Sequence, residues 1–149
     1  MPEPAQVPMP LPSHLTALKH YFETLTPDSV SLLPSFYAPQ ARFKDPFNDV
    51  QGVTAIERVF RHMYEQVDAP RFVVHDVVGN ADHAFMCWDF HFAARRIGEQ
   101  TIRGATHFRF GADGRVTEHR DYWDAAEELY AKLPVLGALM RWLRRRGAA

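Results

Sequence analysis

The run "RVTEHRDYWD", residues 115–124, carries a histidine and an aspartate two positions apart. If it is a strand, alternation places Thr117, His119, Asp121 and Trp123 on one face, and Val116, Glu118, Arg120, Tyr122 and Asp124 on the other. Two titrating groups beside an indole suit acid–base chemistry, because partial removal from water changes what a carboxyl group does with a proton. The same pair also suits a structural hydrogen bond or a cross-strand polar contact. A second aspartate stands in "RFKDPFND", where Asp45 precedes Pro46 and is flanked by Phe43 and Phe47. A proline-stiffened chain with apolar anchors would hold that carboxylate where water is scarce. Aspartate before proline is also an ordinary turn former. In "HAFMCWDFHFAAR" the strand phase separates Cys87, Asp89 and His91 from Met86, Trp88, Phe90 and Phe92. The polar-containing face is expected to line a cavity and the aromatic face to pack a partner subunit; a bulge would reverse this.

Other chemistries find little support. There are eight histidines, but no H-x-x-x-H or C-x-x-C spacing, so no metal site is expected. His62, His75, His83 and His107 read as surface or edge residues. Neither a glycine-rich phosphate loop nor a nucleophile elbow occurs, and no cofactor is expected. The net charge of −1 provides no overall field to attract nucleic acid. The single cysteine, Cys87, excludes an intrachain disulfide. No apolar run approaches a membrane span, and "MPEPAQVPMPLP" lacks the pattern of a secretion signal, so the expected location is the cytoplasm.

The elements that must position these residues are legible from periodicity. The 149 residues, 46% of them hydrophobic, suit one domain over 13–132 behind an extended, disordered proline-rich lead at 1–12. Ser13 heads a helix with Leu15, Leu18, Phe22 and Leu25 on one stripe. Thr26, with Pro27 and Asp28 behind it, starts a second, short helix. "RFKDPF" reads as a short strand or irregular edge, and "QGVTAIERVFRHMYEQV" as a helix with Ile56, Phe60, Met63 and Val67 on one face. From Pro70 onward, four strand-like runs separated by "GNAD", "RIGEQ" and "GADG" make consecutive hairpins and an antiparallel sheet. Asp124 caps a further helical stretch, with Glu127 in the reciprocal capping position. Residues 133–149 read as an amphipathic helix with Leu136, Leu139, Met140 and Leu143 on one side. That helix either docks on the domain or a dimer partner, or lies on an anionic membrane surface with its arginines toward lipid. Helices followed by a curved antiparallel sheet make an α+β fold, with a cavity between the layers.

Nearly everything from Ser13 to about Asp124 resembles one superfamily, the nuclear transport factor two-like proteins, and at three places the match is to ketosteroid isomerases. The superfamily has a cone-shaped fold and includes ketosteroid isomerases, SnoaL-type polyketide cyclases and limonene epoxide hydrolases. "KHYFETL" resembles the first-helix tyrosine motif of ketosteroid isomerases, which implies an oxyanion-donor role for Tyr21. "YAPQARFKDPFNDVQG" resembles their general-base segment and implies Asp45 as base, while "THFRFGADGRV" resembles their penultimate strand and hairpin. Where those enzymes carry a second acid, Thr106 stands here, and a hydroxyl donates less strongly than a desolvated carboxylic acid. "EHRDYWD" is closer to the polyketide cyclases and implies Asp121 as the acid–base residue, with His119 beside it.

The resulting expectation is a cofactor-free protein binding a small apolar carbonyl compound, acting as an acid–base isomerase or cyclase. Its catalytic set would be Asp45, Tyr21, His119 and Asp121, with Thr106, Phe108, Trp123, Asp89 and His91 around the ligand. A non-catalytic binding or assembly module of the same fold is the alternative, and an epoxide hydrolase a further one. By analogy with the superfamily, a homodimer through the outer sheet face is expected.

Overall fold

A computed structural model describes residues 10–130, together with positions 141 and 145. The helix α1 spans Ser13–Glu23 and buries Leu15, Leu18, Tyr21 and Phe22. Its N-cap is Pro12, without a side-chain cap, rather than Ser13. No regular helix starts at Thr26: the Thr26 and Ser29 side chains bond each other and the local backbone. One 3₁₀ turn, Ser29–Leu32, follows, and then the four-residue helix α2, Leu33–Phe36. Short polar side chains that capture backbone groups compete with a helical ladder.

Six strands follow: β1 Tyr37–Lys44, β2 Asp49–Gln51, β3 Asp68–Gly79, β4 His83–Ala94, β5 Gly98–Phe110 and β6 Val116–Tyr122. Between β2 and β3 runs α3, Val53–Gln66, entered through Gly52 at φ +96°, which favours glycine. The sheet order is β2-β1-β6-β5-β4-β3. Its β3–β6 portion is the antiparallel meander expected, but β1 lies parallel to β6, so the sheet is mixed. A parallel neighbour needs a crossover, and the chain supplies one through β2, α3 and the meander. The "RFKDPF" segment is thus no loose edge: its first half belongs to an eight-residue interior strand.

The amphipathic stripes of α1 and α3 cover one face of the sheet. Ile56 and Phe60 of α3 join Leu15, Leu18 and Phe22 of α1 in a core with Phe43, Met86, Trp88 and Phe108 from the strands. Asp124 caps the short helix α4, Ala125–Glu128, by accepting from the Ala126 and Glu127 backbone amides. Among the described residues, no helix is long and apolar enough to cross a membrane. The amphipathic helix expected at 133–149 lies outside the described residues except for positions 141 and 145.

A candidate acid–base site in an apolar cavity

Strand register decides which side chains meet. On the helix-covered face, Met86 stands opposite Thr106, and Thr106 opposite Asp121. In the next rows, Trp88 faces Gly104, while Ala84, Phe108, His119 and Phe43 form a line across β4, β5, β6 and β1. Between this face and α3 lies a cavity of about 800 Å³. Its wall is mostly hydrocarbon: Phe72 and Val74 from β3, Met86, Trp88, Phe90 and Phe92 from β4, and Ile102 and Phe108 from β5. Val59, Phe60 and Met63 of α3 form the opposite side, and Phe47, Trp123 and Leu129 also line the space. The size and lining are those of a site for a small apolar molecule.

The polar groups in that wall are connected. His119 Nε2 lies 2.8 Å from Asp121 Oδ1, and the Thr106 hydroxyl donates to the same oxygen at 2.5 Å. Trp88 Nε1–H, which can only donate, gives its proton to Thr106 Oγ1 at 2.8 Å. On the far side of the imidazole, the Tyr37 phenol sits 2.6 Å from Nδ1. Burial first, then the Asp121 charge and Tyr21, push the Tyr37 phenol well above its ordinary pKa, so it keeps its proton and donates. One assignment of protons satisfies every partner. Tyr37 donates to Nδ1, His119 donates from Nε2 to Asp121, and the indole donates to Thr106, which donates to Asp121. Both chains end on Oδ1. No donor among the described residues reaches Oδ2. The Asp121 side chain is 15% exposed.

His119 itself is only 3% exposed. Phe22, Phe43, Phe60 and Phe108 surround its ring, with centroids 4.5 to 6.5 Å away. Register places two of these, Phe43 and Phe108, on the strands either side of it. The histidine is thereby locked between its two hydrogen bonds, and Asp121 is oriented by groups that cannot rotate away.

Asp45 also lines the cavity, but its carboxylate is committed to the loop between β1 and β2. Oδ1 accepts from the backbone amides of Phe47 at 2.7 Å and Asn48 at 2.6 Å, and the Asn48 side chain donates to both oxygens. Of its two aromatic flanks, Phe43 is buried while Phe47 is 55% exposed and meets Trp123 edge-on.

The expected site residues therefore divide. Asp45, Thr106, Phe108, His119, Asp121 and Trp123 all line the one cavity. Tyr21 does not: its hydroxyl donates to the Ser29 carbonyl at 2.9 Å, and its ring stacks on Phe36. Burial, then the nearby Tyr64 and Glu57, raise its phenol to about 12 against a lowering by Arg61. Asp89 and His91 lie outside as well, because the expected phase of β4 is reversed. Met86, Trp88, Phe90 and Phe92 face the cavity, whereas Asp89 pairs with His75 and Arg103, and His91 bonds Thr101. The cavity takes the large apolar side chains because it forms against the helices, where burial yields most. Two polar members were missed, Tyr37 and the indole N–H of Trp88. A tyrosine opening a proline-containing strand carries no motif, and its partner is 82 positions away. Among the described residues, no group of three or more histidine, cysteine, aspartate or glutamate side chains is placed to hold a metal ion.

Comparison with solved structures finds the same architecture repeatedly. A Catenulispora acidiphila protein with a ketosteroid isomerase-like fold, solved with trimethylamine, superposes with a TM-score of 0.69 at 16% identity, covering 83% of this chain and 95% of that one. A candidate SnoaL-like polyketide cyclase from Shewanella putrefaciens gives 0.67 at 20% identity, over 80% and 98%. An M. tuberculosis epoxide hydrolase of the LEH-like kind gives 0.66 at 14% identity, over 88% and 96%. At these identities the likeness concerns fold alone. No curated protein sequence matches the chain. The SnoaL-like domain family matches residues 18–119, the stretch from α1 to the histidine of the site, and the chain belongs to that family, within the nuclear transport factor two-like superfamily.

Proposed function

We propose that the protein binds a small apolar carbonyl compound in this cavity and moves a proton on it, with Asp121 as the base. One observation carries the reading: two hydrogen-bond chains hold one oxygen of Asp121 and leave the other open beside an apolar space. A carbon acid placed there would give its α-proton to Oδ2, and its electron pair would move onto the carbonyl oxygen. Return of the proton to another carbon is isomerisation; attack of the enolate carbon on a second carbonyl is aldol-type cyclisation. His119 and Thr106 act by holding the carboxylate in place.

A second reading, binding without reaction, has its own support. The hydroxyls of Tyr21, Tyr37 and Thr106 are engaged with Ser29, His119 and Asp121, so none of them is free to meet an oxyanion. Hydrolysis of an epoxide is supported less. Arg120, which would complete a two-acid and arginine set, lies 5.0 Å over the Tyr122 ring on the opposite face from Asp121. The reading extends to a homodimer through the outer face of the sheet.

Exchange of α-protons separates the two main readings. With 2-tetralone in heavy water followed by proton NMR, the protein should accelerate deuterium incorporation. The Asp121→Asn variant should lose about a hundredfold or more of that rate while still binding the ketone. Binding without any acceleration in the wild type would leave the non-catalytic reading.

A further inference from the structure

The cavity is lined by groups of both charge signs. Asp45 and Asp121 bring negative charge to it. The opposite wall is α3, where Arg58, His62 and Gln66 line the cavity at a spacing of four residues, one stripe of the helix. This stripe extends about 12 Å at the α-helical rise. Val59 and Met63 run beside it, so α3 presents the cavity with hydrocarbon on one side and hydrogen-bond donors on the other. No acidic residue of α3 lines the cavity: Glu57 is held by Arg61, and Glu65 lies near His62. Arg58 has no ion-pair or hydrogen-bond partner among the described residues, in contrast to Arg61, which bonds both Glu57 and the Pro27 carbonyl.

From this we propose that the ligand is an amphipathic carboxylic acid whose carboxylate is held at the cavity mouth by Arg58. This deepens the reading of an apolar carbonyl ligand and rests on it. An anion placed beside Asp45 and Asp121, or against the hydrocarbon wall, would be in unfavourable surroundings. At the exposed Arg58 it meets a guanidinium that has no partner among the described residues and whose planar fork matches a carboxylate. The same polarity fixes the ligand's direction. With its acid group at Arg58, the apolar body lies along Val59 and Met63, and the end remote from the acid reaches Asp121.

Isothermal calorimetry with 2-naphthylacetic acid and its neutral amide tests this, because the pair shares its apolar body and shape and the amide lacks the negative charge. The wild type should bind the acid about tenfold or more tighter than the amide. Arg58→Gln should bring the two affinities together by weakening the acid alone, and Arg58→Lys should retain part of the preference. Equal affinities in the wild type, or a preference that survives Arg58→Gln, would overturn the proposal while leaving an apolar cavity site intact. If neither compound nor a neutral ketone bound, both this inference and the ligand-binding reading would fall.

Discussion

Asp121 Oδ1 receives hydrogen bonds from two sides: the Trp88 indole, which can only donate, fixes Thr106, and the Tyr37 phenol donates to His119 Nδ1 because Nε2 donates to the carboxylate. Removing the outermost member shows whether this directionality matters. Tyr37→Phe leaves His119 Nδ1 buried without its donor, at a cost of about 1–3 kcal/mol measured by urea unfolding. It also frees the imidazole to take the other tautomer, so proton exchange at a bound ketone should fall by more than ligand affinity does. Equal stability and equal exchange in this variant would show that the phenol is a bystander. Tyr21 makes a different prediction. Its folded phenol titrates near 12 against an ordinary 10.0. A raised folded pKa means that its contribution to stability is complete below about pH 10 and is lost as pH climbs toward 12. Melting temperature should decline through that window, and Tyr21→Phe should flatten part of the decline, with the remainder belonging to Tyr37 and Tyr64, which are also raised. At this scale the sequence was a good guide to pairs on one strand. His119 and Asp121 share a face because alternation requires it. It could not show that the phenol bonded to His119 would be Tyr37 rather than Tyr21, since that choice depends on where β1 lands beside β6.

Among the elements, β4 and β5 form the wall that makes the site, and their agreement hinges on a glycine. Gly104 stands opposite Trp88, and a β-carbon there would come within 2.5 Å of the indole ring. The ring lies across the strand because that position is bare, and only in that pose does its N–H reach Thr106. Gly104→Ala should therefore displace the indole, break the Trp88–Thr106 bond and cost about 1–3 kcal/mol by overpacking. Tryptophan fluorescence should shift with the change in environment, and Trp88→Phe in the same background should recover stability. An unshifted spectrum and unchanged unfolding would mean that the sheet accommodates the methyl group by itself. Hydrophobic periodicity located α1, α3 and the meander. For β4 the expectation that the face of Cys87, Asp89 and His91 lines the cavity was wrong, because periodicity separates the two faces but does not say which one the helices cover. The assignment follows once the layer order is known: the all-apolar row of Met86, Trp88, Phe90 and Phe92 goes under the helices. The parallel β1–β6 pair was hidden for a related reason, since its register joins segments about eighty positions apart.

For the whole molecule, the face of the sheet turned away from the helices remains to be accounted for. Register aligns Val78, Phe85, His107 and Arg120 in one row and Asp76, Cys87, Ala105 and Tyr122 in the next. Val78, Phe85 and Tyr122 are 64%, 46% and 50% exposed, and Phe85 stacks flat on His107 at 4.4 Å. Exposed apolar groups on three of these strands, with the Phe85–His107 stack between them, suit association better than solvation. A two-fold dimer would place each row against its own copy, so a charge introduced at Phe85 would meet the same charge, or one close by, on the partner. Phe85→Glu should convert the proposed dimer to a monomer in sedimentation equilibrium, whereas Asp76→Asn at the rim should leave it dimeric. Because the cavity lies on the other side of the sheet, the Phe85→Glu monomer should still bind 2-naphthylacetic acid. A wild type that sediments as a monomer at all concentrations would remove the dimer and leave the cavity untouched. A monomeric variant that no longer bound ligand would instead show that pairing across the outer face holds the concave wall in shape, through side chains alternating on the same four strands.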